Sequence, residues 1–145
     1  MECEFPKQNA TTEEIKEILQ SSKTIAIVGL SADESKDSYR VAKYLKEHGY
    51  KIIPVNPKYS EILEEKCYPD LKSIPEKVDI VDIFRKPEAV PSIVYDAIEI
   101  GAKVIWMQLG ICHNVAAEKA RNAGLKVVMN KCTKVEHANV FLSGM

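Results

Sequence analysis

Small and basic side chains follow an apolar run near the start of the chain. The run 24–29 ends in Gly29, Ser31 comes two residues later, and Ser38 and Arg40 open an amphipathic segment. Glycine lets a backbone approach a ligand closely, while hydroxyls and the planar fork of a guanidinium donate hydrogen bonds to phosphate oxygens. The free N–H groups at a helix start also bind anions. A strand, a glycine turn and a helix start in this order therefore favour a phosphate-binding site.

This glycine turn differs from the dinucleotide-binding fingerprint. The fingerprint G-x-G-x-x-G has three glycines, whereas Gly29 is followed by Leu30 and Ser31 and by no second or third glycine. The turn therefore favours a nucleotide-like ligand and argues against an ordinary NAD site.

A cation follows the second apolar run, where an NAD-binding domain usually carries an acidic residue that binds the ribose hydroxyls. The residues at this position are Asn56, Pro57 and Lys58. A lysine here suits a ribose that carries a phosphate, as in NADP with its 2′-phosphate or coenzyme A (CoA) with its 3′-phosphate. The alternative is a solvated loop lysine.

Two more cations follow the third apolar run. Arg85 and Lys86 precede Pro87, which suits the first turn of a helix. The pair favours a phosphate contact, and the apolar side chains of Phe84 and Val90 suit the faces of an adenine. A basic loop with flanking apolar contacts is the alternative.

The fourth strand end carries a polar side chain and a glycine. Gln108 follows the buried run that ends in Met107, and Gly110 permits close approach of a ligand. Cys112 and His113 suggest a nucleophile and a base, but neighbours in sequence rarely align within about 3 Å as that chemistry requires. We therefore predict no catalytic residue here.

Buried strands alternate with amphipathic helices along the chain, a pattern that requires a parallel sheet covered on both faces. The predicted strands are 24–29, 51–55, 79–84, 103–107 and 125–129. The predicted helices follow Thr11 and span about 38–48, 87–100 and 114–122, whereas 59–77 is predicted to be irregular. The prediction is an α/β, three-layer, doubly wound Rossmann-like domain with strand order 3-2-1-4-5. The four segments above then meet at the carboxyl edge of the sheet.

Length and composition predict a single domain over 1–145, with a helical extension at 1–23 and a core at 24–130. The chain is 46% hydrophobic and 28% charged with a net charge of −1, so nothing in its overall charge favours nucleic acid. No apolar run approaches the roughly 20 residues that cross a bilayer, and we expect no membrane partner. Segments 1–23 and 130–145 lie outside the sheet pattern and offer surfaces for a second copy or an unidentified partner protein.

The first residues lack the apolar region of a signal peptide, which predicts a cytoplasmic protein. Its four cysteines, Cys3, Cys67, Cys112 and Cys132, are then expected mostly as thiols. Cys132 and His137 match no zinc-binding pattern, so no metal site is predicted.

Several blocks together resemble stand-alone members of the CoA-binding domain family, whose relatives include the N-terminal domain of the succinyl-CoA synthetase alpha subunit. The matching blocks are 28–31, 38–45, 48–57, 78–88, 101–111 and 123–132. They cover nearly the whole chain from residue 24, and their combination is more specific than any one of them.

The resemblance implies a bound CoA or acyl-CoA that contacts all four strand ends. The pyrophosphate would lie near Gly29, Ser31, Ser38 and Arg40. The ribose and its 3′-phosphate would lie near Asn56, Pro57 and Lys58. The adenine would be bordered by Phe84, Arg85, Pro87 and Val90. The pantetheine arm would pass Met107, Gln108 and Gly110.

The ligases of this family depend on a phosphorylated histidine in a further domain and on a nucleotide-binding partner subunit. None of His48, His113 and His137 matches the context of that histidine. The resemblance therefore implies a cytoplasmic CoA-binding protein without catalytic machinery of its own. The alternatives are an NADP-dependent oxidoreductase, a nucleotide-sensing regulatory domain, and a thiol role in which Cys112 forms a mixed disulfide with CoA.

Overall fold

Five parallel strands form the central sheet of the structure, a computed structural model that describes residues 5–142. These strands are β1 (Thr24–Val28), β2 (Lys51–Val55), β5 (Ile80–Ile83), β6 (Val104–Met107) and β7 (Lys126–Val128). They correspond to the five predicted strands, and helices cover both faces of the sheet. The predicted doubly wound, Rossmann-like α/β arrangement is confirmed.

The order of the strands is β2-β1-β5-β6-β7, so the predicted order 3-2-1-4-5 is wrong in the place of one strand. The third of the five sheet strands along the chain is β5, and it pairs with β1 and not with β2. The Asp79 carboxylate joins the starts of β1 and β5, because it accepts hydrogen bonds from the backbone N–H groups of Lys23 at 2.8 Å and Thr24 at 3.1 Å. The edge position also suits β2, because Pro54 has no N–H to donate to a second neighbour.

Five α-helices surround the sheet: α1 (Thr12–Ser21), α2 (Asp37–Glu47), α3 (Val90–Glu99), α4 (Asn114–Asn122) and α5 (Thr133–Phe141). The helix predicted after Thr11 begins with a capping box, in which the Thr11 hydroxyl and the Glu14 carboxylate each accept from the other residue's N–H. Helix α5 was not predicted. The segment predicted to be irregular contains a short hairpin, β3 (Glu61–Ile62) with β4 (Glu65–Lys66), and a 3₁₀ turn, Leu71–Ser73.

Each face of the sheet carries its own apolar cluster. Helices α3 and α4 pack on one face, where Val94 and Ala117 are fully buried. Helices α1 and α2 pack on the other, where Ile18 and Leu45 are buried, and α5 contacts both of these helices. No helix within residues 5–142 is long and apolar enough to span a membrane.

Candidate ligand-binding cleft

A cleft of about 600 Å³ opens at the carboxyl edge of the sheet. It lies above the ends of β5 and β6, between the first turns of α2 and α5. Strand order reverses beside the cleft, between β1 and β5, because β2 lies on one side of β1 and the later strands β5, β6 and β7 lie on the other. Open α/β sheets bind their ligands at such a switch point.

Four cations surround a largely apolar lining. The cations are Arg40, Arg85, Lys86 and Lys134. The apolar side chains are Val41, Phe84, Pro87, Leu109, Ile111 and Val135. Such a surface suits a ligand that has both anionic groups and an apolar or weakly polar part.

The predicted site residues are divided between this cleft and the framework around it. Those that line the cleft are Arg40, Phe84, Arg85, Pro87, Gln108 and Gly110. Pro57 lies in a neighbouring cavity of about 130 Å³, and Arg85 lines both spaces. Lys58 is exposed beside Pro57 and outside the lining of either. Val90 and Met107 are fully buried in the core beneath the cleft.

Gly29 joins three strand ends. Its N–H donates to the carbonyl of Val55 at 2.9 Å, and its φ is +89°. A Cβ at this position would lie 2.5 Å from the carbonyl oxygen of Phe84 and 2.9 Å from the Cδ atom of Arg85. The glycine therefore allows the turn after β1 to contact the segment that lines the cleft, and only glycine fits.

The two predicted serines and Asn56 hold the loops near the cleft. The Ser38 hydroxyl accepts from the N–H of Ser31 at 3.1 Å, and the Ser31 hydroxyl accepts from the N–H of Asp33 at 3.0 Å. Asn56 donates its Nδ2 to the carbonyl of Leu30 at 3.1 Å. These contacts connect the ends of β1 and β2 and order the loop that leads into α2.

Arg40 is held by its own loop. One guanidinium nitrogen donates to the carbonyl of Ser35 at 2.8 Å, and the other forms an ion pair with Asp37. Both side chains of this pair are well exposed and line the cleft. A phosphate that binds Arg40 would therefore compete with the Asp37 carboxylate.

The loop after β6 is fixed by the loop after β7. Gly110, with a φ of +86°, donates its N–H to Oδ1 of Asn130 at 2.7 Å. Asn130 itself has a φ of +57°, a conformation that asparagine adopts more readily than most residues. This contact positions the Gly110 side of the cleft.

Helix α5 supplies cleft residues that sequence reasoning missed. Cys132, Lys134 and Val135 line the cleft. The Thr133 hydroxyl lies 2.9 Å from Oδ2 of Asp82 and 2.9 Å from Oε1 of Gln108. Burial raises the pKa of Asp82 to about 8. Lys131, Thr133 and Lys134 follow β7 and are polar, so the sequence shows no apolar periodicity that would predict this helix.

Cys112 and His113 make separate contacts in the structure. The Cys112 side chain is fully buried and its Sγ lies 3.6 Å from Sδ of Met129. The His113 ring caps α4, because its Nδ1 accepts from the N–H of Ala116 at 3.1 Å. A mixed disulfide at Cys112 is disfavoured by this burial, whereas Cys132 is the cysteine that lines the cleft. Within residues 5–142 no cluster of His, Cys, Asp or Glu could hold a metal ion, and Cys3 lies outside the described residues.

Three comparisons place the chain among known proteins. YneT of Bacillus subtilis, an uncharacterized protein, is 43% identical over 131 residues, which cover 90% of this chain and 97% of YneT. A solved structure of a hypothetical protein from Pyrococcus horikoshii OT3 has a TM-score of 0.88 and 46% identity, covering 97% of this chain and 99% of that one. The ADP-forming acetate–CoA ligase of Methanocaldococcus jannaschii is 27% identical over 129 residues, which cover 83% of this chain and 18% of the ligase.

Residues 23–138 match the sequence profile of a family described as CoA binding domain. The matched range runs from the residue before β1 into α5, so it contains the whole sheet and every residue that lines the cleft. The predicted relationship to the CoA-binding parts of CoA ligases is confirmed. The chain belongs to the CoA-binding domain family.

Proposed function

We propose that the chain binds CoA, free or acylated, in the cleft at the carboxyl edge of the sheet. The observation that carries the proposal is the placement of four cations around an apolar lining at the switch point. CoA combines three phosphate groups with an adenine and a long arm that contains amides. The family match and the similarity to part of an acetate–CoA ligase point to the same ligand.

In this proposal Arg40 and Arg85 bind phosphate oxygens, and Lys58 lies at the outer end, near the 3′-phosphate. Phe84 and Pro87 offer apolar surfaces for the adenine. The pantetheine arm passes Gln108 and Gly110 toward α5. Val90 and Met107 are fully buried in the core, so in this proposal they do not contact the ligand directly.

We propose binding and presentation of the ligand rather than a reaction on it. Cys132 lines the cleft at the start of α5, but the histidine of that helix, His137, has its Nδ1 2.8 Å from the hydroxyl of Tyr44. His113 is engaged at the start of α4. No nucleophile and base are therefore aligned among the described residues around the cleft. A cytoplasmic location belongs to this proposal and is supported by the free thiols of Cys67 and Cys132.

Isothermal titration calorimetry of the purified protein with CoA, NADP and NAD tests this proposal. We expect one-site binding of CoA and no heat from either dinucleotide. Binding of NADP without binding of CoA would overturn the proposal and favour the oxidoreductase alternative, for which Lys58 beside a ribose phosphate is the supporting feature.

Two variants locate the ligand in the cleft. Arg40→Ala is expected to weaken CoA binding by about 1.5–3 kcal/mol, the range for a charge-assisted hydrogen bond. Lys43→Ala is the matched control, because Lys43 is an exposed cation on the same helix and lies outside the cleft. Equal affinity of the Arg40 variant and the wild type would remove Arg40 from the site.

The Lys58→Ala variant tests the 3′-phosphate assignment. It is expected to weaken binding of CoA more than binding of 3′-dephospho-CoA, because only CoA carries the phosphate that Lys58 would contact. Identical losses for the two ligands would contradict the assignment.

A further inference from the structure

A buried hydroxyl beneath the cleft is shared between two oxygen atoms. Oγ1 of Thr133 lies 2.9 Å from Oδ2 of Asp82 and 2.9 Å from Oε1 of Gln108. The backbone N–H of Thr133 also donates to Oε1 of Gln108, at 3.1 Å. Asp82 and Thr133 are fully buried, and Gln108 is 4% exposed.

The protons in this network can be assigned from its geometry. The Thr133 N–H needs an acceptor, which fixes the Gln108 amide with its oxygen toward Thr133 and leaves no hydrogen at that atom. The Thr133 hydroxyl has one hydrogen, so it cannot donate to both Gln108 and Asp82. Both contacts are hydrogen bonds only when Asp82 donates to Thr133 and Thr133 donates to Gln108.

The surroundings of Asp82 also favour a neutral carboxylic acid. Asp82 lies on the central strand β5, and its register partners on the adjacent strands are Ile27 and Trp106. Among the described residues, Oδ1 of Asp82 has no hydrogen-bond partner, and no cation forms an ion pair with the Asp82 carboxyl group. An ionised carboxylate in such a place would be strongly disfavoured. Burial raises the pKa of Asp82 to about 8.

The orientation of the Gln108 amide determines what it offers to the cleft. Its Oε1 is occupied by Thr133, while its Nε2 makes no hydrogen bond to the residues that the structure describes. Gln108 lines the cleft beside Gly110. The amide therefore presents an N–H donor to a ligand, and an acceptor on the ligand is its complement.

We propose that a protonated Asp82, acting through Thr133, holds the Gln108 carboxamide so that Nε2 donates to a carbonyl oxygen of the bound ligand. This inference deepens the proposed function and rests on it. Gln108 is the residue that touches the ligand, and Asp82 and Thr133 are positioning residues. A CoA ligand has two sources of such a carbonyl, the amides of the pantetheine arm and the thioester of an acyl group.

The proton on Asp82 is tested without any ligand. Infrared difference spectra of the wild type and Asp82→Asn are recorded at about pH 6, where an ordinary Asp is ionised. We expect the C=O stretch of a protonated carboxylic acid in the wild type and its loss in the variant. Absence of this band from the wild type would overturn the inference.

The positioning role is tested by calorimetric titration of four variants with CoA and acetyl-CoA. Thr133→Val and Asp82→Leu break the network, and each is expected to weaken binding about three- to tenfold, the equivalent of one hydrogen bond. Thr133→Ser keeps the hydroxyl and Asp82→Asn keeps a donor in place of the acid, so both are expected to rescue binding to within about twofold. Thermal unfolding checks that each variant is folded.

Each outcome of this titration supports or overturns the inference. Equal losses in Asp82→Asn and Asp82→Leu would show that Asp82 does not act as a donor, and wild-type affinity in Thr133→Val would show that Gln108 needs no positioning. A loss confined to acetyl-CoA identifies the thioester carbonyl, whereas equal losses for both ligands identify a pantetheine amide. If the wild type binds neither ligand, the proposed function and the ligand contact both fail, and the infrared band alone decides the state of Asp82.

Discussion

At the scale of single residues, Gly29 is the described glycine at which an added side chain would clash most. Gly29→Ala would combine a left-handed backbone with a Cβ that lies 2.5 Å from the carbonyl oxygen of Phe84. Backbone strain and overpacking each cost about 1–3 kcal/mol, so we expect a loss of at least about 2 kcal/mol in the free energy of unfolding. Denaturant unfolding measures this loss.

Gly124→Ala is the matched control for this substitution. Gly124 has a similar φ of +92°, but nothing lies within 4 Å of the Cβ that would be added. Its loss should therefore reflect backbone strain alone, at about 1 kcal/mol. Equal losses in the two variants would mean that the turn after β1 can move away from Phe84 without cost.

Asp82 should make the stability of the protein depend on pH. Its pKa in the folded state, about 8, lies above the ordinary value of 3.8. The folded state therefore keeps a proton that the unfolded state loses, and the stability associated with that proton is complete below about pH 4 and lost as the pH rises toward 8. Relative to wild type, Asp82→Asn should gain about 1 kcal/mol per pH unit across this range.

Denaturant unfolding of both proteins at several pH values measures the gain. The other titrating groups, including His137, whose pKa is lowered by burial, are the same in both proteins and cancel in the difference. Parallel stability curves between about pH 4 and pH 8 would show that Asp82 is ionised in the folded protein.

The cleft residues that the sequence could predict are those that directly follow the carboxyl end of a strand. Phe84, Arg85 and Gln108 line the cleft as residues at the carboxyl ends of β5 and β6. Met107 does not, because side chains alternate along a strand and its side chain faces the cluster on the α3 and α4 side. The sequence did not predict Asp82 as part of a site, because a single acidic residue within an apolar strand belongs to no recognisable pattern.

At the scale of elements, the strands were predictable from apolar runs, but their pairing was not. Strand order depends on which chain segments meet, and Pro54 and Asp79 are two residues that bear on it. Pro54 disfavours an inner position for β2, and Asp79 connects β5 to β1. Helix α5 was missed because Thr133 and His137 are its buried residues, so it lacks an apolar stripe.

The start of α2 provides a test in which affinity should increase. Asp37→Asn removes the carboxylate that pairs with Arg40 and one negative charge from the cleft. We expect tighter CoA binding, because a phosphate then no longer competes with Asp37 for the guanidinium. Stability should fall by about 0.3–1 kcal/mol, because an acidic residue in the first turn of a helix is favourable.

Calorimetric titration and denaturant unfolding measure the two effects. Glu47→Gln, at the other end of α2 and exposed, makes the same change of charge away from the cleft. Affinity for CoA that rises equally in both variants would reflect overall charge and would remove the Asp37 carboxylate as a competitor.

At the scale of the whole molecule, charge is unevenly distributed. The chain has a net charge of −1, yet four cations surround the cleft. Binding of CoA should therefore weaken as ionic strength rises from about 0.01 M to about 1 M, over which the Debye length falls from about 30 Å to about 3 Å. Titrations at several salt concentrations measure this effect.

Pantetheine, which has no phosphate, is the control ligand, and its binding should change little with salt. An affinity for CoA that is independent of salt would mean that the cations around the cleft do not contact its phosphates.

The edge strand β2 has a consequence for how copies of this protein meet. Pro54 has no N–H to offer, its carbonyl accepts from the N–H of Tyr68 at 3.0 Å, and the N–H of Asn56 donates to the carbonyl of Tyr68 at 2.9 Å. An exposed edge strand is a template for aggregation, because a strand from another molecule can extend its ladder. Along the half of β2 nearest the cleft, Tyr68 already occupies these backbone hydrogen-bonding groups. Contacts between copies along that half of the edge must therefore use side chains, which hinders the addition of a strand from another molecule there.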